Sequence, residues 1–506
     1  MKRTILLLAT ALTAAPLVYA QKFITYEQFG AAGDGVTDDM PSIIAAHNAA
    51  NEQGLPVRAG SGRTYYIAAK ARTAVIKTDT DWTGAHFIID DVGLEGNVLT
   101  PVFDVRSYGE PFEVNGLTSL HKGQKKLGMK LPCEALVRVE NRGKKIYIRK
   151  GLNQDEGTAQ SEILLVSRSG RIASNSPVLW DYDKVTSALA TPVDSKRLVI
   201  RGGTFTTIAN QQASTYNYHE RGIDVHRSNV LLEGITHLVT GELDHGAPYR
   251  GFIYPKFATR VEVRDCTLTA HKTYTTIGSA GKPVPMGSYD LEAYGCIGVK
   301  WVRCTQTTDI DDSDYWGLFA SNFCKDLQMD GCRISRFDAH MGVCNVTLRD
   351  CTFGHMGVRF VGAGCARLVN CEVRYRSMID LRSDYGSSWE GEIIGRRCTL
   401  AAPANSKEVT LVRGANNEDH DFGYVCHMPS KVVFKSLLID DSHIENASYK
   451  QPYVFATFGR KADAPGPYPM ACEGSVVLQG VRVLSGRDIS VSSDPALYKG
   501  YSVRIK

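Results

Sequence analysis

The stretch "VTLRDCTF", Val346 to Phe353, is followed 20 residues later by "ARLVNCEV", Ala366 to Val373, and preceded 19 residues earlier by "LQMDGCRI", from Leu327. In each, apolar and polar residues alternate, the alternation breaks once at a two-residue step rich in Asp, Gly and Asn, and then resumes. Period-two alternation is a β-strand, and the step is a bend that brings the next strand's side chains back to the same interior. A unit of some 20 residues cannot bury its apolar face alone, so successive copies must stack, coil upon coil, as a parallel β-helix. The same template fits "LVIRGGTF" (Leu198), "VLLEGITH" (Val230), "VEVRDCTL" (Val261), "VKWVRCTQ" (Val299), "IIGRRCTL" (Ile393), "LLIDDSHI" (Leu437) and "VVLQGVRV" (Val476). Its sixth place falls at 203, 235, 266, 304, 332, 351, 371, 398, 442 and 481, which predicts stacked coils over 195–485.

Six of the 13 cysteines, Cys266, Cys304, Cys332, Cys351, Cys371 and Cys398, occupy that sixth place. One repeat position means one face, so they are expected to form an interior column of small, buried thiols. An odd total leaves at least one cysteine outside any disulfide framework, and the spacings of cysteine metal sites are absent. No metal ligand is assigned.

The chain opens "MKRTILLLATALTAAPLVYAQ": two basic residues, an apolar run and small residues before Gln21, the pattern of a signal peptide spanning 1–20 and cleaved after Ala20. The product is expected to be exported, periplasmic or extracellular. No later apolar run reaches the length of a membrane span. Lys2 and Arg3 contribute half of the formal charge of +4, so the remainder is nearly neutral and a basic surface for nucleic acid is not indicated.

Between Phe29 and Gly54 the chain reads "FGAAGDGVTDDMPSIIAAHNAANEQG". Asp38 or Asp39 can cap a helix with a buried stripe of Ile43, Ile44 and Ala46, and Gly54 can end it. This segment resembles the opening of the pectate-lyase superfamily, in particular its rhamnogalacturonase/epimerase-like β-helix domain, which also occurs in phage tailspikes. The resemblance implies an all-β, single-stranded, right-handed parallel β-helix (pectin-lyase-like solenoid) over 21–506, with an N-terminal capping helix inside a cap of about 21–60. Asp34, Asp38 and Asp39 are then structural rather than catalytic. Hydrolases, lyases, epimerases and non-catalytic binders share such a cap, so function must be argued from the site.

The gaps before 235, 266, 304 and 332 are 32, 31, 38 and 28 residues, longer than the bare coil, and place groove-forming insertions at about 207–330. They include "TYNYHERGIDVH" (Thr215), "GELDHGAPYRGFIYPKF" (Gly241), "GSYDLEAY" (Gly287) and "TDIDDSDYW" (Thr308). Aromatic rings among carboxylates, His and Arg suit a sugar chain, since rings stack on pyranose faces and charged groups read hydroxyls and uronates. His245, Tyr249, Arg250, Tyr254, Lys256, Glu292 and Trp316 are accordingly candidate substrate-binding residues.

Next to these insertions come "SRFDAH" (Ser335), "GHMGVRF" (Gly354) and "RYRSMIDLRSDY" (Arg374) on consecutive coils. Stacked strands lie about 4.8 Å apart, so Arg336, Asp338, His340, His355, Arg359, Asp380 and Arg382 are expected to form a polar ladder. It follows directly on the carboxylate loop of Asp309, Asp311, Asp312 and Asp314. Glycoside hydrolysis needs one carboxyl as acid and another to activate water or attack; Asp311, Asp312, Asp338 and His340 are the candidate catalytic residues, with Arg336, Arg359, Arg382 and Asp380 binding substrate. The paired Asp311–Asp312 with a nearby His resembles part of the aspartate and histidine series of polygalacturonase-type hydrolases.

The expected function is cleavage of glycosidic bonds in an acidic or pectin-like polysaccharide by carboxylate-based hydrolysis, a reaction that needs no cofactor. Two alternatives stand beside it. A lyase would show a cation cluster, or Ca²⁺, neutralising a uronate beside a base. A non-catalytic carbohydrate binder, like a tailspike, would show aromatic platforms without two closely spaced carboxylates.

Overall fold

The computed structural model describes residues 23–149, 157–215, 218–277, 283–415, 421–456, 470–493, 495 and 497–506. The expected signal peptide lies outside them. Three stacks of parallel strands run the length of the molecule. The first passes from Ile24–Thr25 through Val57–Arg58, Thr80–Asp81 and Leu198–Arg201, then through every later template copy to Gly500–Ile505. The second includes Thr64–Ile67, His86–Asp90, Thr204–Ile208 and Thr236–Thr240. The third includes Ala74–Ile76, Phe103–Val105, Ile223–Val225 and Ile253–Pro255. The solenoid therefore begins well before residue 195.

The bend between the first two stacks is set by the template's fifth place. Gly202, Gly234, Asp265, Arg303, Gly331, Asp350, Asn370, Arg397, Ser436 and Gly480 all take φ between 49° and 70° there. Left-handed backbone is open to Gly and least costly for Asp and Asn among the rest, which explains the composition of the step. It also corrects one copy. Cys398 lies beside Leu437, and Leu437 pairs with Val481, so the coil's copy is "VVFKSLLI" from Val432, with Ser436 at the bend. The copy read from Leu437, with Ser442 in the sixth place, is displaced by five residues; "LLIDDSHI" fits the pattern by apolar alternation but lacks the left-handed residue.

The sixth-place cysteines do form one inward column. Cys332 and Cys351 flank the register pair Arg333–Thr352, Cys351 and Cys371 flank Thr352–Glu372, and the Cys332 N–H points to Cys351 Sγ at 3.4 Å. All 13 cysteines are free thiols, and all six of the column are buried.

At the N-terminal end, helix α1 (Met40–Gln53) buries Met40, Ile43, Ala46, His47 and Ala50, while Ile44 is half-buried, and Gly54 (φ 65°) ends it. Asp39 sits at the N-cap position, yet its carboxylate accepts the N–H groups of Ala32 and Gly33 rather than those of the helix. Asp34 accepts from Val36 and Thr37, and Asp38 pairs with Arg72 at 2.7 Å. All three acids hold the cap's turns.

Between the coil ending at Val105 and the one opening at Leu198, the chain leaves the solenoid. Phe112–Glu113, Ala135–Ile146, Thr158–Val166 and Ser187–Pro192 make a four-stranded antiparallel sheet with its own core, including Leu120, Val137, Val139, Leu164, Val166 and Tyr182. Lys325 of the solenoid donates to Glu162 of this sheet at 2.6 Å, both buried. The expectation of one solenoid over 21–506 is corrected by this sheet, which leaves no trace in the repeat because antiparallel strands of ordinary alternation carry none. Among the described residues no helix is long and apolar enough to cross a membrane.

Candidate active site

On the third stack, successive coils present one outward position. Pairings run Asp104–Asp224–Tyr254, then Glu292–Ala320, then Asp338–Arg359–Asp380–Arg413. Tyr254 is joined to Glu292 through the neighbouring pair Ile253–Leu291, and Ala320 to Asp338 through Ser321–Ala339. The inward neighbours on either side, such as Ile223 and Val225 or Phe337 and Ala339, are fully buried. Alternation thus aims a nine-coil column of mostly ionisable side chains away from the core.

A cleft of about 430 Å³ lies over the middle of that column. Arg250, Tyr254, Glu292, Trp316, Arg336, His340, Arg359 and Arg382, all named from the sequence, line it. Arg149, Tyr218, Tyr289, Tyr294, Asn322 and Tyr385 line it too and were missed. Tyr289 and Tyr294 fall inside "GSYDLEAY" and could have been picked from that stretch. Arg149 arrives from the antiparallel sheet's chain segment, where no repeat points to it. A hairpin of Tyr274–Ile277 with Pro283–Met286 closes one side through Val284, Pro285 and Met286.

The carboxylates behave otherwise than expected. Asp338 is fully buried and is the shared partner of Arg336, of Arg382 Nη1 at 2.7 Å and of His340 Nε2 at 3.1 Å. It has no exposed surface to offer a substrate; it positions three side chains that line the cleft. Asp311 is exposed and bound to Arg374 Nη1 at 2.6 Å, in a separate cavity of about 950 Å³ that also holds His355, Tyr375 and Arg413. Asp312 accepts the Asp314 N–H in its own turn. The Asp311–Asp312 pair is therefore not part of this cleft, because the loop carrying it turns toward Arg374 on a later coil. Asp380 stands behind the wall, between Arg359 (3.6 Å) and Arg413 (3.1 Å). Lys256 bridges Glu220 (2.8 Å) and Asp224 (2.6 Å) beside a neighbouring pocket. Tyr249 is buried with its hydroxyl accepting the Asn210 N–H, and His245 is half-exposed against Asp244; neither lines the cleft.

The cleft is cationic. Arg149, Arg250, Arg336, Arg359 and Arg382 line it, and Glu292 is the one acid among the described lining residues. Asp384 receives Arg382 through two nitrogens (3.0 and 2.6 Å) and Arg149 at 3.2 Å, which fixes both guanidiniums. Arg336 lies over the Trp316 ring at 5.5 Å, and Arg149 over Tyr385 at 5.2 Å. Burial pushes the Arg336 guanidinium down to about 9, still protonated at neutral pH. Burial, with the nearby guanidiniums of Arg382, Arg336, Arg149 and Arg359, holds His340 well below the usual imidazole range and so neutral. Burial likewise raises the Glu292 carboxyl, against the opposing pull of Arg250. One cleft thus presents fixed cations, a neutral imidazole and a carboxyl raised by burial.

Fold and column together make this a right-handed parallel β-helix protein. Among solved structures it is similar to the tailspike protein gp49 from Pseudomonas phage LKA1, with 14% identity over 95% of this chain and 84% of that one and a TM-score of 0.52. It is also similar to the Gp54 tailspike of Acinetobacter baumannii bacteriophage AP22, solved in complex with A. baumannii capsular saccharide, with 12% identity over 96% of this chain and 74% of that one and a TM-score of 0.56. No protein-family model matches the chain, and no curated protein matches it.

Proposed function

We propose that the protein is an exported enzyme that binds an anionic polysaccharide in this cleft and cleaves it by β-elimination. The observation that carries the reading is the ring of guanidiniums around a neutral His340. Elimination from a uronide requires neutralisation of the sugar carboxylate, a base for the proton α to it, and a proton for the departing oxygen. Arg336, Arg359 and Arg382 supply the first, Arg336 and Arg382 pre-positioned by Asp338 and Asp384 and Arg359 by Asp380, so little reorganisation is needed when a carboxylate enters. His340 keeps a lone pair for the second. Tyr289, whose hydroxyl is 3.5 Å from His340 Nε2, is placed to supply the third. A capsular saccharide on the Gp54 tailspike is consistent with this fold carrying a glycan.

Hydrolysis is the second reading, favoured by a different pair of acids from those expected. Glu292 is raised by burial, and burial pushes Asp224 up to about 6 despite Lys256. They share the outward column two coils apart, about 9.6 Å by strand spacing, near the upper limit for carboxyls that flank a water in an inverting enzyme, but Asp224 is buried against Lys256 outside the cleft lining, so this reading needs Lys256 to swing away. Incubation with a panel of acidic polysaccharides separates the two. Elimination leaves an unsaturated uronide that absorbs in the ultraviolet, whereas hydrolysis leaves new reducing ends without that absorbance. Reducing ends alone would overturn the elimination reading, and saturable binding without any cleavage would make the protein a binder.

A further inference from the structure

Directly behind the cleft wall, three side chains far apart in sequence converge in the interior. His237, on the strand Thr236–Thr240, follows Phe87 and Phe205 in an inward register column and lies flat against Phe252, ring centroids 3.7 Å apart. Its Nδ1 is 2.6 Å from one Asp290 oxygen, and His271 Nε2 is 3.0 Å from the other. One donor atom from each of the three lies within 4.8 Å of the other two, and each side chain is 3% exposed or less.

Each of the three groups has a further partner, the imidazoles on their far sides. His237 Nε2 meets Thr207 Oγ1 at 2.9 Å, His271 Nδ1 meets Glu242 at 3.1 Å, and Asp290 accepts the Thr269 N–H at 2.8 Å. We propose that His237, His271 and Asp290 are the ligands of a buried divalent transition-metal ion of the Zn²⁺ class. Two imidazoles and the two oxygens of the Asp290 carboxylate, one facing each ring, give the four donors of a closed Zn²⁺ site, and Ca²⁺ does not suit imidazole. An imidazole whose second nitrogen is fixed by a carboxylate or hydroxyl is the arrangement that orients a metal-binding histidine. Donors bound at about 2.0–2.1 Å in a tetrahedron stand roughly 3.3 Å apart, so the contacts of 2.6 and 3.0 Å must open by about 0.7 and about 0.3 Å. Charge also balances: with both imidazoles neutral, a dication offsets the carboxylates of Asp290 and Glu242 in a site that excludes water.

The ion would be structural, and its position gives it a task. Asp290 adjoins Tyr289 of the cleft, and the His271 carbonyl accepts the N–H of Trp316. The metal therefore ties two segments of the cleft wall, those of Tyr289 and Trp316, to the strand that carries His237.

The test uses the full chain, purified, desalted into metal-free buffer and assayed by elemental analysis, with Co²⁺ replacing Zn²⁺ for spectroscopy. The expected result is one ion per chain, visible d–d absorption from tetrahedral Co²⁺, and a melting temperature that falls on chelation and returns with Zn²⁺. His237→Phe continues the Phe87–Phe205 column and keeps the stack on Phe252, so it should fold but hold no metal. A wild-type chain that takes up neither Zn²⁺ nor Co²⁺, with an unchanged melting temperature, overturns the proposal and leaves a protonated hydrogen-bond network. Full metal content in folded His237→Phe overturns it as well.

Discussion

Asp338→Asn tests whether the cleft's cations stand on one buried carboxylate. Asp338 has no exposed surface and serves Arg336, Arg382 and His340 together. Arg382 also has Asp384, but Arg336 reaches Asp338 through Nη2 while its Nε and Nη1 have no hydrogen-bond partner among the described residues, and its remaining support is the Trp316 ring. The amide removes the counter-charge and strands a buried guanidinium. Removing one partner of a buried pair costs about 3–5 kcal/mol, whereas replacing both partners by apolar groups is often close to neutral. Asp338→Asn should therefore lose about 3–5 kcal/mol, and adding Arg336→Met should restore at least about 2 kcal/mol of it, a coupling far larger than distant sites show. Urea unfolding followed by circular dichroism and by tryptophan fluorescence, with coincident transitions, measures all four corners of the cycle. A single variant within about 0.5 kcal/mol of wild type, the behaviour of a surface position, would refute the reasoning, as would strict additivity in the double variant.

Arg359→Ala removes a cleft guanidinium that is about a quarter exposed. It should weaken binding of an acidic oligosaccharide by roughly tenfold, about 1.4 kcal/mol, and leave a neutral one unaffected; calorimetry showing equal loss for both would contradict a carboxylate at that place. His340, held well below its usual range, should keep activity level as pH falls through 6.5, with an acid limb only well below that; a rate that halves near pH 6.5 would remove it as the base. Burial holds His47 down to about 3 in the folded protein, while the unfolded chain takes the proton near 6.5, so stability is lost as pH falls below 6.5 and is down about 2 kcal/mol by pH 5. His47→Leu should flatten that slope, and an unchanged acid sensitivity would exclude His47 as its source. Finally, thiol titration of the native chain should find Cys133, Cys365 and Cys472, the half-buried cysteines, reacting before any of the sixth-place column; early modification of Cys332, Cys351 or Cys371 would break the inward register.

Much of the solenoid is local in origin and so could be read from the chain. Apolar alternation, a left-handed bend at the fifth place and a small residue at the sixth recur within eight residues, and the six shared cysteines declare one face. The cap was legible for the same reason, since Gly54, Asp34 and Asp39 act on neighbours a few residues away, while Asp38 reaches Arg72. The copy from Leu437 shows the limit: alternation alone fits two registers five residues apart, and only pairing of Leu437 with Val481 selects the one with Ser436 at the bend. The cleft depended on distances along the chain that no period encodes. Asp338 and Asp311 look alike in sequence, yet one is sealed beneath Arg336 and Arg382 while the other is drawn away by Arg374, 63 residues on. Arg149 enters from an antiparallel sheet that the repeat passes over, and His237, His271 and Asp290 meet because insertions of unequal length return to adjacent coils. The sequence sets which residues can face outward; which charges meet water, substrate or one another is decided by what packs over them, and that exists only in the folded chain.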